Sequence, residues 1–341
     1  MPLRRFRFRA MGSPCELHLH VDSPDDARRV ALRAVQEVWR LERKYSRYRD
    51  DSLASRINRS AGDPAGVEVD PETAALLGYA DTCFRQSGGL FDISSGVLRR
   101  AWKRGLTRLP SRSELALLLE RVGWERVRWS APRLVLPVPG MELDFGGYVK
   151  EYAVDRVTEL CRDLGLRHGL VDLGGDLGAL GPHPDGSPWR VGVRHPRRPE
   201  CALATLDLAG GAIASSGDYE RFTWIDGVRY SHLLDPRSGW PVRGLAAASV
   251  VAPHCLVAGA ASTIAMLMDE PAAGAWLDGL GLPNLRVTQN GEVGGTLAPG
   301  SWKLDGSGSA PRTGTSSGPK PSSTRPAAAE AASGRLSNPV R

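Results

Sequence analysis

Residues 212–242, AIASSGDYERFTWIDGVRYSHLLDPRSGWPV, restrict the fold more than any other part of the chain. Short strand-like runs are broken there by two polar corners, Ser215-Ser216-Gly217-Asp218 and Asp235-Pro236-Arg237-Ser238-Gly239, rich in the residue types that favour turns. His232 sits between them, in an otherwise apolar run with Tyr230, Leu233 and Leu234, where a strand hands over to a turn. Loops at strand ends are where reactive groups are usually presented. The rest of the chain has the same texture: short strands and interspersed helices that fit no simple βαβ repeat, which predicts an α+β fold.

Taken in order, two alternating runs, residues 4–9 and 16–20, predict strands around Met11, Gly12, Ser13 and Pro14. His18 and His20 share one face of the second; with no third ligand nearby, they read as solvent-facing. Ser23 caps a helix, with Pro24 at its first position, Asp26 completing a capping box, and a buried stripe from Val30 to Leu41. Further helices are expected over residues 53–58, from Pro71 to the Gly88-Gly89 pair, and over 111–122; 127–138 reads as a hairpin. The segment Leu90-Phe91-Asp92-Ile93-Ser94-Ser95-Gly96 is either a ligand loop or a connection to Trp102. Residues 143–151, LDFGGYVKE, read as a strand, a paired-glycine turn and the start of a helix reaching about 164. Such a turn lets backbone approach an anion at the helix N-terminus, yet it lacks the GxGxxG pattern of a dinucleotide fold. Strands follow at 169–173, 189–194, 202–208 and 246–251, a small-residue helix at 257–268, a helix at 272–280 and a strand near 285–287.

The formal charge of +6 invites a nucleic-acid reading. Residues 307–341, however, hold Arg312, Lys320, Arg325, Arg335 and Arg341 against Glu330, so +4 belongs to the tail and +2 to the body. A body so nearly neutral has no general footprint for a phosphate backbone. The five cysteines are widely separated and form no CxxC pair, as expected of buried reduced thiols. The start, MPLRRFRFRAMGSP, lacks the apolar run of a signal peptide, and no later stretch is long enough to span a bilayer. As given, the chain reads as cytoplasmic. From Gly306 onward the Gly/Ser/Pro/Thr/Ala composition buries too little apolar surface to offset ordering entropy, so the expectation is a body over residues 1–305 and a disordered basic tail over 306–341.

Eight motifs occur in a fixed order: MGS at 11–13, SRYRDDS at 46–52, GLFDIS at 89–94, DFGGYVKEYAVDR at 144–156, LGGD at 173–176, SSGDYERF at 215–222, HLLDPRSG at 232–239 and ASTIAML at 261–267. Across about residues 5–295 the chain thereby resembles the FAD:protein FMN transferase (ApbE) family. The resemblance implies two intimately packed lobes of short strands and helices with the FAD site between them. It also implies an activity: Mg²⁺-dependent transfer of the FMN moiety of FAD onto a threonine or serine hydroxyl of an acceptor flavoprotein, releasing AMP. Met11, Tyr48, Leu90, Phe91, Asp92, Asp144, Lys150 and Leu233 would line the FAD site, the Gly147 carbonyl and Thr263 hydroxyl would bind Mg²⁺, and His232 would handle the proton. Acceptors belonging to electron-transport systems are the partners implied. Because such acceptors face the outside of the inner membrane, the location becomes periplasmic if a leader precedes the sequence.

Two positions depart from the family pattern. The aspartate expected four residues before Thr263 is Gly259, and the glycine common after the lysine is Glu151. Glu151 is therefore expected to replace the missing metal ligand, with the alternative that it is only an acid favoured by the helix dipole. Two other activities share these residues: an FAD pyrophosphatase yielding FMN and AMP, and a catalytically silent FAD-binding protein.

Overall fold

The computed structural model describes residues 1–297, apart from Arg104, Pro199 and Glu220, together with residues 334–336. Its organising element is one nine-stranded sheet. We number its strands along the chain: β1 (Leu3–Ala10), β2 (Ser13–His20), β3 (Gly169–Leu173), β4 (Asp176–Gly181), β5 (Gly211–Gly217), β6 (Leu245–Ala252), β7 (Asn284–Thr288), β8 (Val293–Gly294) and β9 (Gly334–Arg335). In space they run β8-β7-β6-β5-β4-β3-β2-β1-β9. Every pairing is antiparallel except β9 on β1. From β1 to β8, sequence neighbours are thus sheet neighbours, as the absence of a βαβ repeat requires. Met11 and Gly12 turn β1 into β2 with φ of 51° and 74°, the two left-handed residues that match strand twist in a tight hairpin.

The helices are α1 (Pro24–Tyr45), α2 (Leu53–Arg59), α3 (Pro71–Gln86), α4 (Arg112–Leu119), α5 (Val149–Asp163), α6 (Cys255–Leu267) and α7 (Glu270–Gly279). One sheet face, carrying Phe6, Phe8, Leu17, Leu19, Val171, Ala212, Ala214, Ala248 and Val250, packs with the buried stripes of α1, α5 and α6. The other, carrying Leu170, Leu177, Ile213, Ala247 and Leu285, is covered by the hairpin Trp189–Arg194 and Ala202–Leu208. The period of two along β5 shows the division: Ala212 and Ala214 face the helices, Ile213 faces the hairpin.

Four expectations need correction. The run 143–145, expected as a strand before the Gly146-Gly147 turn, pairs with no strand among the described residues. Ser23 Oγ accepts from the Asp26 N–H at 3.2 Å, but the Asp26 carboxylate turns to Arg29 at 2.9 Å, so the capping box is not closed. The segment after Asp92 is a 3₁₀ helix, Ile93–Arg100, not a loop. His18 and His20 do not face solvent: the covering hairpin lays Trp189 across them, burying His20 and setting its Nε2 2.9 Å from His183 Nδ1. Among the cysteines, Cys15, Cys83, Cys161 and Cys255 are buried free thiols and Cys201 is half-buried. No helix among the described residues is long and apolar enough to cross a membrane. The expected tail lies outside the described residues apart from 334–336, where β9 edges the sheet.

Candidate active site

How α5 lies on α6 sets the floor of the site. Asp155 accepts hydrogen bonds from the N–H groups of Cys255 (2.7 Å) and Leu256 (2.9 Å), a cap that His254 at the start of α6 does not provide. One turn earlier on α5 and one turn later on α6, Glu151 meets Gly259. A Cβ on Gly259 would stand 2.4 Å from Glu151 Cγ and 3.1 Å from its Oε1. The helices therefore run antiparallel, and their contacts step by the four residues that repeat a helix face. One turn further along α6 stands Thr263, while Gly147 lies ahead of the first turn of α5. Gly147 is exposed, with open space where a Cβ would be, and Thr263 is half-buried.

The Glu151 side chain fills the volume that a side chain at position 259 would need. Its Oε2 is buried without a hydrogen-bond partner. Burial first, and the adjacent Asp176 carboxylate second, raise the pKa of this acid, so its ionised form needs another cation. Lys150 Nζ lies 2.7 Å from Asp176 Oδ2. Burial pulls the Lys150 pKa down, but the Asp176 and Glu151 carboxylates outweigh that and hold it raised, so the ammonium stays charged. β5 closes the floor: Ser215 N–H reaches Asp176 Oδ1 at 3.3 Å, and Ser216 Oγ lies 2.9 Å from Ser262 Oγ and 3.0 Å from Thr263 Oγ1.

His232 stands at the exposed rim. Its Nδ1 lies 2.9 Å from the Arg221 carbonyl oxygen; a carbonyl can only accept, so Nδ1 carries the proton and Nε2 keeps its lone pair. Water displaced from the inner side of the ring lowers the pKa, the bond to Arg221 opposes this, and the Arg221 and Lys150 charges reinforce the lowering. The Arg221 guanidinium in turn reaches the Met11-Gly12 turn, 3.9 Å from a Cβ placed on Gly12.

Lys150, Glu151 and Thr263 are thus gathered on the floor, with Gly147 just ahead of α5, and Arg221 joins His232 to the turn that holds Met11 and Gly12. Asp144 holds Arg47 in an ion pair and accepts from Gly146 N–H at 2.9 Å. Tyr48, 79% exposed, lies under the same Arg47. Of the other four residues of the expected flavin set, three are turned inward. Leu90 is buried, Phe91 packs edge-on against Tyr148, and both Asp92 oxygens are taken by the N–H groups of Ser94 (2.7 Å) and Trp124 (3.1 Å). Leu233 is half-buried against the main core. The DPRSG corner is held from behind, where Trp102 Nε1 donates to the Gly239 carbonyl at 2.8 Å. Asp176 and Arg221 carry no local signal of their own: both sit inside the LGGD and SSGDYERF motifs, where the glycine turns are the stronger pattern. A cavity of about 600 Å³ lies elsewhere, between the covering hairpin and β5 to β7, with Val191, Leu206, Ile213 and Val251 in its wall and none of the floor residues.

The ApbE family model matches residues 11–285. The chain is 31% identical to the FAD:protein FMN transferase of Treponema pallidum (strain Nichols), over 78% of this chain and 81% of that protein. It is 32% identical to that of Klebsiella pneumoniae (strain 342), over 68% and 72%. The crystal structure of the ApbE protein from Thermotoga maritima superposes with a TM-score of 0.80 at 29% identity, covering 86% of this chain and 97% of that one. The apo Pseudomonas stutzeri flavinyl transferase ApbE gives 0.75 at 30%, covering 86% and 93%.

Proposed function

The chain belongs to the ApbE family, and on that premise we propose that it transfers the FMN moiety of FAD to a threonine or serine hydroxyl of an acceptor protein, releasing AMP, with Mg²⁺ at the floor of the site. The observation that carries the reading is the convergence of Lys150, Asp176, Glu151 and Thr263 on one polar floor beside His232. Attack of an acceptor oxygen on the FMN-side phosphorus requires three things: an offset to the diphosphate charge, alignment, and removal of one proton. Lys150, kept charged by its carboxylate neighbours, and Arg221 offer the positive charge. His232 takes the proton at Nε2, the nitrogen left bare by the bond from Nδ1 to Arg221. Met11, Tyr48, Leu90, Phe91, Asp92, Asp144 and Leu233 form the flavin-side wall in this reading, the buried ones acting through packing.

The donor set suits a hard divalent cation. Among the described residues no cluster of three or more His, Cys, Asp or Glu side chains could hold a metal, so the cation would rest on a mixed set of oxygens. Glu151, with its unpartnered Oε2, the Thr263 hydroxyl and the Gly147 carbonyl would supply them. Glu151 stands where a side chain from position 259 would otherwise project, which supports the expectation that it replaces the missing aspartate. Mg²⁺, when bound, would neutralise diphosphate charge and polarise a phosphoryl oxygen.

The test is incubation with FAD and Mg²⁺, with and without a protein displaying an exposed threonine acceptor segment. Covalently flavinylated acceptor with stoichiometric AMP is expected. Free FMN without covalent product would mean that water is the nucleophile, and unchanged bound FAD would mean a binding protein; either outcome refutes the transferase reading.

A further inference from the structure

The first polar corner ends on an acid that the chemistry above leaves unused. Ser215 and Ser216 serve the floor, while Asp218 is buried, with its N–H bonded to the Ala246 carbonyl at 3.1 Å. Its carboxylate is filled from two directions. Arg197, in the connection between the two strands of the covering hairpin, forks onto it at 2.5 and 2.9 Å. Gln289, just after β7, donates to Oδ2 at 3.0 Å. Arg197 also donates to Gln289 Oε1 at 2.9 Å, so the three side chains close a ring, and Gln289 Nε2 reaches the Leu245 carbonyl at 2.9 Å. His195 Nδ1 accepts from the N–H groups of Arg197 (3.0 Å) and Arg198 (3.2 Å), which shapes the turn that presents Arg197. Gly217 leaves room for the Tyr219 ring, which would stand 2.1 Å from a Cβ at 217 and packs with the core under the covering hairpin.

We infer that Asp218 is a positioning residue for the proposed transfer: pinned by Arg197 and Gln289, it fixes the rim segment that carries Arg221 and, through the Arg221 carbonyl, the orientation of His232. The inference rests on the transferase reading, which gives His232 the proton. Asp218 stands between floor and rim. It lies two residues after Ser216, whose hydroxyl is 3.0 Å from Thr263 Oγ1, and three before Arg221, whose carbonyl takes both the N–H (3.1 Å) and Nδ1 (2.9 Å) of His232. From Arg221 the chain runs out and back through the paired strands Phe222–Ile225 and Val228–Ser231, with Phe222 opposite Ser231, so the contact of Arg221 with His232 is the next rung of that ladder. This ribbon pairs with no other strand among the described residues, and the ring at Asp218 ties its first strand back to the body. Three residues of chain span at most about 11 Å, too short to absorb a shift at Asp218 before it reaches Arg221. A misplacement of about 1 Å at a reacting group costs about 10²-fold in rate. A buried ion pair is weak evidence for stability, since apolar groups of the same volume commonly serve as well; a fully satisfied polar ring instead fixes one geometry. The Asp218 charge also acts on the His232 ring. Burial lowers the His232 pKa, the bond to the Arg221 carbonyl and the Asp218 carboxylate raise it, and the Arg221 and Lys150 charges lower it.

Asp218→Asn, Arg197→Gln and the double variant test this in the full chain. Two quantities are read: kcat for AMP release from FAD with the acceptor present, and the titration midpoint of the His232 ring by NMR without FAD. Both single variants are expected to lose about tenfold or more in kcat. Their midpoints should move in opposite directions. Removing the Asp218 anion lowers the midpoint, whereas removing Arg197 leaves that anion uncompensated and raises it. In the double variant two neutral amides can bond each other, so the midpoint should fall between those of the single variants and part of the kcat should return. A role confined to holding the fold would move both midpoints the same way or neither; that result, or an unaltered kcat in both single variants, overturns the inference. Gln289→Leu opens the ring while sparing the ion pair, and stands in should a charge variant fail to fold. Its kcat is expected to fall about threefold or more with the midpoint unmoved, and an unchanged kcat overturns the inference. Absence of AMP release from FAD by the unmutated chain would refute the transferase reading instead, while the opposed midpoints still decide whether Asp218 and Arg197 act on His232.

Discussion

Gly259→Asp places a carboxylate where Glu151 already stands. The new Cβ would lie 2.4 Å from Glu151 Cγ and 3.0 Å from Cδ, inside any carbon–carbon contact distance, so the buried Glu151 side chain must move. Forcing extra atoms into a packed interior costs about 1–3 kcal/mol. A second acid beside Glu151 and Asp176, with Lys150 already paired to Asp176, adds like-charge repulsion. The single variant is expected to lose about 2–4 kcal/mol. Glu151→Gly empties the same volume and carries about 1 kcal/mol of helix-propensity cost. Joined in one chain, the two changes should relieve each other, with a favourable coupling of about 1–3 kcal/mol; the propensity cost cancels in the cycle. Urea unfolding of the four proteins in excess EDTA measures the coupling free of any bound cation. Mg²⁺ calorimetry on the same proteins should show binding lost in Glu151→Gly and regained in the double variant. A coupling within about 0.5 kcal/mol of zero would refute the claim that residues 151 and 259 share one volume.

His232→Asn is expected to lower transfer by about 10²–10⁴-fold, with FAD affinity kept. The His232 pKa lies below the ordinary value of about 6.5, so the unprotonated base is present above that lowered pKa and activity falls as pH drops through it. An acid limb of kcat centred above pH 6.5 would contradict the assignment. Lys150→Met leaves the Asp176 side chain, 3% exposed, unpaired beside Glu151, and should cost about 3 kcal/mol in urea unfolding; adding Asp176→Asn should restore most of it, and failure to do so would mean the ion pair is not what the lysine supplies.

Much of the fold is legible in the chain because period two survives in it. The runs 189–194 and 202–208 alternate cleanly, and both strands appear with those bounds. The Gly174-Gly175 pair marks the hairpin that joins β3 to β4. Alternation could not say what covers the second face of a strand. His18 and His20 therefore read as solvent-facing until the hairpin beginning at Trp189 is folded over them. The site divides in the same way. Residue types and order single out Lys150, Glu151, Thr263 and His232 as candidates. The meeting of Glu151 with Gly259 depends on how two helices distant in sequence are aligned, and no local pattern carries that.

The alignment itself has a local cause, in Asp155. Its carboxylate takes the first two N–H groups of α6, which fixes where α6 begins relative to α5 and so which residues face each other one turn on. With that register pinned, a carboxylate delivered to the floor from residue 151 or from residue 259 would occupy nearly the same volume, since the Glu151 carboxyl carbon lies 3.0 Å from where a Cβ on Gly259 would sit. The extra methylene of glutamate supplies the reach from α5, and glycine at 259 supplies the room. The requirement falls on the place of the oxygen rather than on the helix that provides it, so an exchange of acid and glycine between the two positions would preserve the proposed floor beside Lys150.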